Sequence, residues 1–168
     1  MILTVIVFAF LLRVISLNQS FWLDEATSGL VVRNFNLGEI ITKFSPGDFH
    51  PPLYYLILKV WSQIVGTSEI ALRLLSLVFG LLTIYFVYLL GKRLFNNKVG
   101  LTAGLLLATS GLHIYYSQEA RMYALATFLV TFSIFSFVKI INRGRVGDWL
   151  LFSLSLALIA ATDYVALL

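Results

Sequence analysis

From Ile70 to Leu90 the chain carries a single charged residue, Arg73. About 20 predominantly apolar residues are what an α-helix needs to cross a bilayer. In lipid the backbone must satisfy its own hydrogen bonds, which leaves helices and closed barrels as the only spanning structures. Four further stretches repeat the pattern: Ile2–Leu17, Val99–Ile114, Tyr123–Val138 and Trp149–Leu168. The first and third are short and need flanking residues or tilt to span. The expected fold is therefore all-α, a polytopic transmembrane helical protein with about five spans. Composition agrees, with 60% hydrophobic and 12% charged residues in 168, against about 25% charged in soluble domains. The last run reaches Leu168 with no basic cap or tail, as expected of the N-terminal part of something longer. Cysteine is absent, which excludes a disulfide framework and thiolate metal sites in this chain.

Charge sets the topology. Six of the twelve basic residues fall in two short gaps, Lys92, Arg93 and Lys98 after the second run and Lys139, Arg143 and Arg145 after the fourth. Six of the eight acids, Asp24, Glu25, Glu39, Asp48, Glu69 and Glu119, fall in the other gaps. Positive loops face the cytoplasm, so the N-terminus is expected inside and the acidic loops outside. That assignment requires Pro51–Val65, an apolar stretch interrupted by Lys59, to lie at the interface and not to span. Its two prolines suit a helix start, and Trp61 with two tyrosines suits the headgroup region. Residues 18–69 then form one long outer loop containing an interface helix at 51–65. The first run lacks a basic n-region and a small-residue cleavage site, so it reads as a retained span. Asn18-Gln19-Ser20 matches a glycosylation sequon, a triplet that also arises by chance. Gly100 and Gly104 have the GxxxG spacing of close helix packing.

Several outer-loop residues could carry chemistry. Phe21-Trp22-Leu23-Asp24-Glu25 places two carboxylates directly after an aromatic anchor. Partial desolvation at the bilayer edge makes a carboxylate a better base. The plainer alternative is an acidic first turn of a helix. His50 precedes Pro51-Pro52 and could hydrogen-bond a phosphate or hydroxyl, or simply cap the helix. Arg73 could hold a phosphate in its guanidinium fork, pair with Glu69 one turn earlier, or snorkel. Tyr115 to Tyr123 is a polar island between two spans, with Tyr116, Glu119 and Arg121 at a depth where ionisable groups line cavities or sites. With His50 and His113 far apart, the case for a metal is weak.

Four segments resemble one family: Leu23-Asp24-Glu25-Ala26, Asp48-Phe49-His50-Pro51-Pro52-Leu53-Tyr54-Tyr55, Ala71-Leu72-Arg73-Leu74, and Tyr116-Ser117-Gln118-Glu119-Ala120-Arg121-Met122-Tyr123-Ala124-Leu125. Their order is similar to that in the bacterial and archaeal branch of the protein O-mannosyltransferase-like glycosyltransferases, which includes lipid A aminoarabinose transferase. The resemblance implies the GT-C type of membrane fold at a cell (inner) membrane. It implies inverting transfer of a sugar from a polyprenyl-phosphate donor to an acceptor hydroxyl on a glycan, lipid or protein. By the same resemblance Asp24 is the catalytic carboxylate with Glu25 in support, and His50, Arg73, Tyr116, Glu119 and Arg121 contact substrate. No resident cofactor is implied, a divalent cation is allowed, and the partners are membrane lipid, donor and acceptor, not nucleic acid. A transporter fragment, which would show broken helices or polar groups near the midplane, and a non-catalytic membrane scaffold are the alternatives.

Overall fold

The computed structural model describes residues 1–164 and is helical throughout, with no strand among them. Helix α1 (Ile2–Val14) leads through a turn to α2 (Leu23–Asn34). A short turn, α3 (Leu37–Glu39), continues through a π-helical turn at Ile40–Phe44 and a 3-10 turn at Ser45–Gly47. Then come α4 (Leu53–Val65), α5 (Glu69–Leu94), α6 (Asn97–Ala108), α7 (Gly111–Ser117), α8 (Tyr123–Arg143) and α9 (Val146–Thr162).

Local chemistry accounts for most boundaries. Asn36 and Glu39 form a reciprocal capping box at α3, which satisfies two backbone donors at once. The side chains of Ser68 and Asn96 accept from the backbone N–H groups of Ala71 and Val99 and so start α5 and α6. Gly144 ends α8 in the left-handed region, φ 57°, where a Cβ would be strained. Pro52 stands immediately before α4, as expected of a proline at a helix start.

Among the described residues, only α5 and the Tyr123–Asn142 part of α8 are long and apolar enough to cross a bilayer by themselves. The structure differs from the expected spans in three places. The run expected as one span at Val99–Ile114 is broken: α6 and α7 meet at 66°. Thr109 and Ser110 occupy the break, and the Thr109 hydroxyl donates back to the carbonyls of Leu105 and Leu106, a pattern that bends helices. Taken together, the bent pair is long enough to make a third span. The outer runs give α1 with 13 residues and α9 with 17, roughly 20 and 25 Å long. The run expected at 149–168 stops being helical at Thr162, and 165–168 lie outside the described residues. The long loop contains two substantial helices, the expected α4 and also α2, whose apolar residues are too interspersed with polar ones to announce it.

The helices form a bundle with two chemically distinct ends. At one end Lys139 pairs with Asp148, and Arg93 and Arg145 line the same small cavity. At the other end Glu25, Arg73, Ala120 and Arg121 come together beneath α2 and α4. Between them α5 and α8 run side by side, with Phe79 stacked on Phe128 at 5.5 Å and Phe86 against Phe132 and Phe135 at 5.2 Å. Leu3, Phe8, Leu11, Leu106, Leu150 and Leu154 are exposed on the flanks, an apolar surface that suits lipid.

The outer helices are tied down by cations reaching backbone. The Lys59 ammonium donates to the Val32 carbonyl at 2.6 Å, and Arg33 donates to Thr67 at 2.8 Å. Trp61 Nε1 donates to the Ala71 carbonyl at 2.8 Å. Lys59, which interrupts an apolar stretch in the sequence, is therefore a tie between α4 and the end of α2. Val31, Tyr54, Tyr55, Leu58, Leu72 and Met122 form the core beneath.

Candidate functional site

Arg73 sits one turn inside α5 and is buried. Its guanidinium grips the Glu25 carboxylate with two bonds, Nε to Oε1 at 2.8 Å and Nη2 to Oε2 at 2.6 Å. The remaining N–H groups donate to the carbonyls of Leu17, Gln19 and Ser20. Those carbonyls turn inward because the chain reverses after α1, with Ser16 at φ 130°, a conformation that L-residues seldom adopt. Phe21 covers the guanidinium at 5.2 Å. Every donor of Arg73 is thereby occupied by protein. Its carboxylate partner is Glu25, not the neighbouring Glu69.

Glu25 also accepts the Ala120 backbone N–H at 2.8 Å. One buried carboxylate therefore joins α2, α5 and the 118–122 turn. Asp24, beside it in the first turn of α2, is half-buried and its carboxylate is not part of this clamp.

Arg121 is buried and differently placed. Its Nη1 contacts the Tyr55 hydroxyl at 3.3 Å and the Asp24 carbonyl at 3.5 Å, while Nε has no hydrogen bond of normal geometry among the described residues. The guanidinium lies 5.9 Å from the Tyr123 ring, which packs on Tyr116 at 4.9 Å. Tyr55 is held by burial, and then by the neighbouring Asp48 carboxylate, well above the ordinary phenol range. It therefore stays protonated, with Asp48 on one side and Arg121 on the other. Asp48 Oδ1 accepts the His50 backbone N–H at 3.3 Å, and Oδ2 is buried without a hydrogen bond. His50 thus belongs to the turn that presents Asp48, and its ring makes no hydrogen bond among the described residues.

Glu119 faces a polar cavity of about 150 Å³ lined by Ser16, Gln19, Trp22, Glu25, Tyr115 and Gln118, with Arg73 behind. It is buried, and neither carboxylate oxygen has a hydrogen bond of normal geometry. Burial raises its pKa, and the Glu25 charge adds to this. The Tyr115 hydroxyl, Arg121 and the Trp22 indole act in the opposite direction without cancelling it. A carboxyl so placed is a proton acceptor nearer neutrality than an exposed one. Among the described residues no three His, Asp or Glu side chains converge as a metal set.

Asp48 and Tyr55 were legible only as members of a motif, because neither reveals its partners without the fold. The polar groups that close the α6–α7 break, Arg13 and His113, gave no sequence signal beyond being polar in apolar runs. A broken helix is also a feature expected of a transporter, so helix pattern alone does not separate the two classes.

Comparison with known proteins gives the family. Residues 49–168 match the family described as dolichyl-phosphate-mannose-protein mannosyltransferase. The chain belongs to this family. The matched region takes in His50, Arg73, Tyr116, Glu119 and Arg121, while Asp24 and Glu25 precede it. An uncharacterized protein of Aquifex aeolicus (strain VF5) is 29% identical over 132 residues, covering 76% of this chain and 26% of that protein. The chain thus spans about a quarter of that relative's length. No solved structure matches. Membership of this glycosyltransferase family accounts for an all-helical, apolar chain whose polar groups gather at one end.

Proposed function

We propose that this chain carries the acid–base and anion-binding part of a membrane glycosyltransferase that moves a sugar from a polyprenyl-phosphate donor to an acceptor hydroxyl, with inversion. The reading is carried by the Glu25 carboxylate, which ties Arg73 to the Ala120 amide and so gathers Asp24, Glu119 and Arg121 at one end of the bundle. The basic residues at the opposite end, read by the positive-inside rule, support a site on the extracytoplasmic face, and the proposed location is the inner membrane of a bacterium or archaeon.

In this mechanism Asp24 takes the proton of the acceptor hydroxyl as its oxygen attacks the anomeric carbon. The bond from that carbon to the phosphate oxygen breaks, and the polyprenyl phosphate leaves with the electron pair. A phosphate leaving group needs cations more than a general acid, unlike the leaving oxygen in glycoside hydrolysis. Arg121, whose Nε has no hydrogen bond among the described residues, takes that role, and the Arg73–Glu25 pair positions the first turn of α2. Tyr116 walls the site beside Tyr123, and His50 holds the turn of Asp48. The acceptor is a glycan, a lipid or a protein hydroxyl.

A second assignment of the base has its own observation. Glu119 is buried against a polar cavity, neither of its oxygens has a hydrogen bond of normal geometry among the described residues, and burial raises its pKa, which are properties of a proton acceptor. The test is sugar transfer in membranes containing the full-length protein, using a panel of radiolabelled polyprenyl-phosphate sugars. Wild type is compared with Asp24→Asn and Glu119→Gln at equal abundance. A loss on the order of 10²–10⁴-fold confined to Asp24→Asn supports the first assignment, and the same loss confined to Glu119→Gln moves the base to Glu119. Transfer from no donor overturns the enzymatic reading and leaves a scaffold or transporter.

A further inference from the structure

The least expected charge in the molecule is Arg13. It lies in the last turn of α1 and is fully buried, yet among the described residues it forms no ion pair with a carboxylate. Its Nη1 donates to the carbonyl of Ala9 in its own helix and to that of Ala108, both at 3.0 Å. Its Nη2 meets His113 Nδ1 at 2.7 Å. Arginine has no acceptor, so Nδ1 must be the unprotonated nitrogen and the ring is neutral. Ala108 is the final residue of α6 and His113 lies in α7, so one guanidinium holds both sides of the 66° break. A helix end leaves carbonyls without intrahelical partners, and in lipid an unsatisfied carbonyl is costly. Arg13 supplies the missing donor to Ala108.

The connection continues toward the site. The Gln118 side chain donates to the Arg13 carbonyl at 3.1 Å, and Gln118 is the neighbour of Glu119 in sequence and lines the same cavity. On the far side, the Ser117 hydroxyl donates to the His113 carbonyl at 2.6 Å, and α7 lies against Gly80 of α5, where any Cβ would run into the Ser117 side chain. Helix α7 therefore packs between α5 and Arg13.

We infer that Arg13 is a positioning residue: it sets the angle between α6 and α7 and through α7 places Gln118 and Glu119 in the polar cavity. The inference concerns the architecture of the site, and only its activity arm rests on the transferase reading.

Hydrogen–deuterium exchange on the full-length protein in nanodiscs tests the architecture without any activity. Arg13→Met keeps an unbranched apolar side chain but removes all donors. It is expected to speed exchange across residues 108–118 by about tenfold or more, with 124–138 unchanged. His113→Phe, a milder variant that removes one acceptor, is expected to produce a smaller change in the same segment. It keeps the test decisive if Arg13→Met does not fold. Unchanged exchange at 108–118 in the folded variants overturns the inference.

The activity arm is a double-mutant cycle. If Arg13 acts through Glu119, Arg13→Met lowers transfer no more than Glu119→Gln does, and costs less than about twofold in the Glu119→Gln background. Equal losses in both backgrounds mean a general structural role and sink the positioning claim. If the wild type transfers no sugar, the proposed function fails while the exchange result still decides the role of Arg13.

Discussion

Arg73 and Glu25 are 48 positions apart in sequence and form a two-bond, fully buried ion pair, Nε to Oε1 at 2.8 Å and Nη2 to Oε2 at 2.6 Å. The pair keeps an anion and a cation together beneath the outer helices, and the Ala120 amide and three carbonyls absorb the remaining hydrogen-bonding capacity. Removing one member leaves the other charged and unpaired in a buried site. Arg73→Met is expected to cost about 3–5 kcal/mol, read as a lower midpoint in thermal unfolding of the detergent-solubilised protein. Arg73→Lys should recover little of it, because an ammonium cannot reproduce the fork. A variant as stable as wild type would show that the pair contributes no net stability.

The Glu119 carboxyl has its pKa raised above 4.5 by burial. A group whose pKa is higher in the folded state takes up protons on folding. Stability linked to it is present at pH below 4.5 and is lost as pH rises through the raised value. Glu119→Gln cannot ionise, so its melting temperature relative to wild type should increase across that window and then level off. A difference that is flat from pH 4 to pH 8, on a scale of about one titrating group, would mean that Glu119 is not perturbed by burial.

Gly100 and Gly104 look equivalent in the sequence but face different neighbours. A Cβ on Gly100 would lie 2.5 Å from the Tyr88 carbonyl and 2.8 Å from the Lys92 nitrogen, both backbone atoms. On Gly104 the nearest atom would be Tyr88 Cβ at 3.6 Å, an ordinary contact. Gly100→Ala is therefore expected to destabilise by about 1–3 kcal/mol by pushing α5 and α6 apart, while Gly104→Ala changes little. Membrane abundance and melting temperature of the two variants, measured together, check the contrast.

Arg121 reaches the Asp24 carbonyl through Nη1 and has no hydrogen bond at Nε among the described residues, whereas every donor of Arg73 is occupied. If Arg121 holds the donor phosphate, Arg121→Gln should raise the KM for the polyprenyl-phosphate sugar by about tenfold or more, the scale of losing a charge-assisted bidentate contact. Melting temperature should shift little. An unchanged KM with unchanged kcat would remove Arg121 from the donor site.

The sequence by itself determined that the chain is helical and apolar enough for lipid, that its charged ends differ, and that residues 53–65 form a helix. Hydropathy and charge act locally, so each of these can be read from a short window. It also determined the family, because four motifs occur in the right order. Only the tertiary structure decided what those motif residues do to one another. Arg73 read equally as a phosphate ligand or a partner of Glu69, and its partner proved to be Glu25, whose approach depends on how residues 15–20 fold back. Asp24 and Glu25, adjacent in sequence, separate into a free carboxylate and a clamped one because neighbours on a helix point in different directions. The break between α6 and α7 was invisible because Thr109 and Ser110 are tolerated in straight helices. What holds the bend is Arg13, 95 residues before Ala108, a contact that no local pattern encodes.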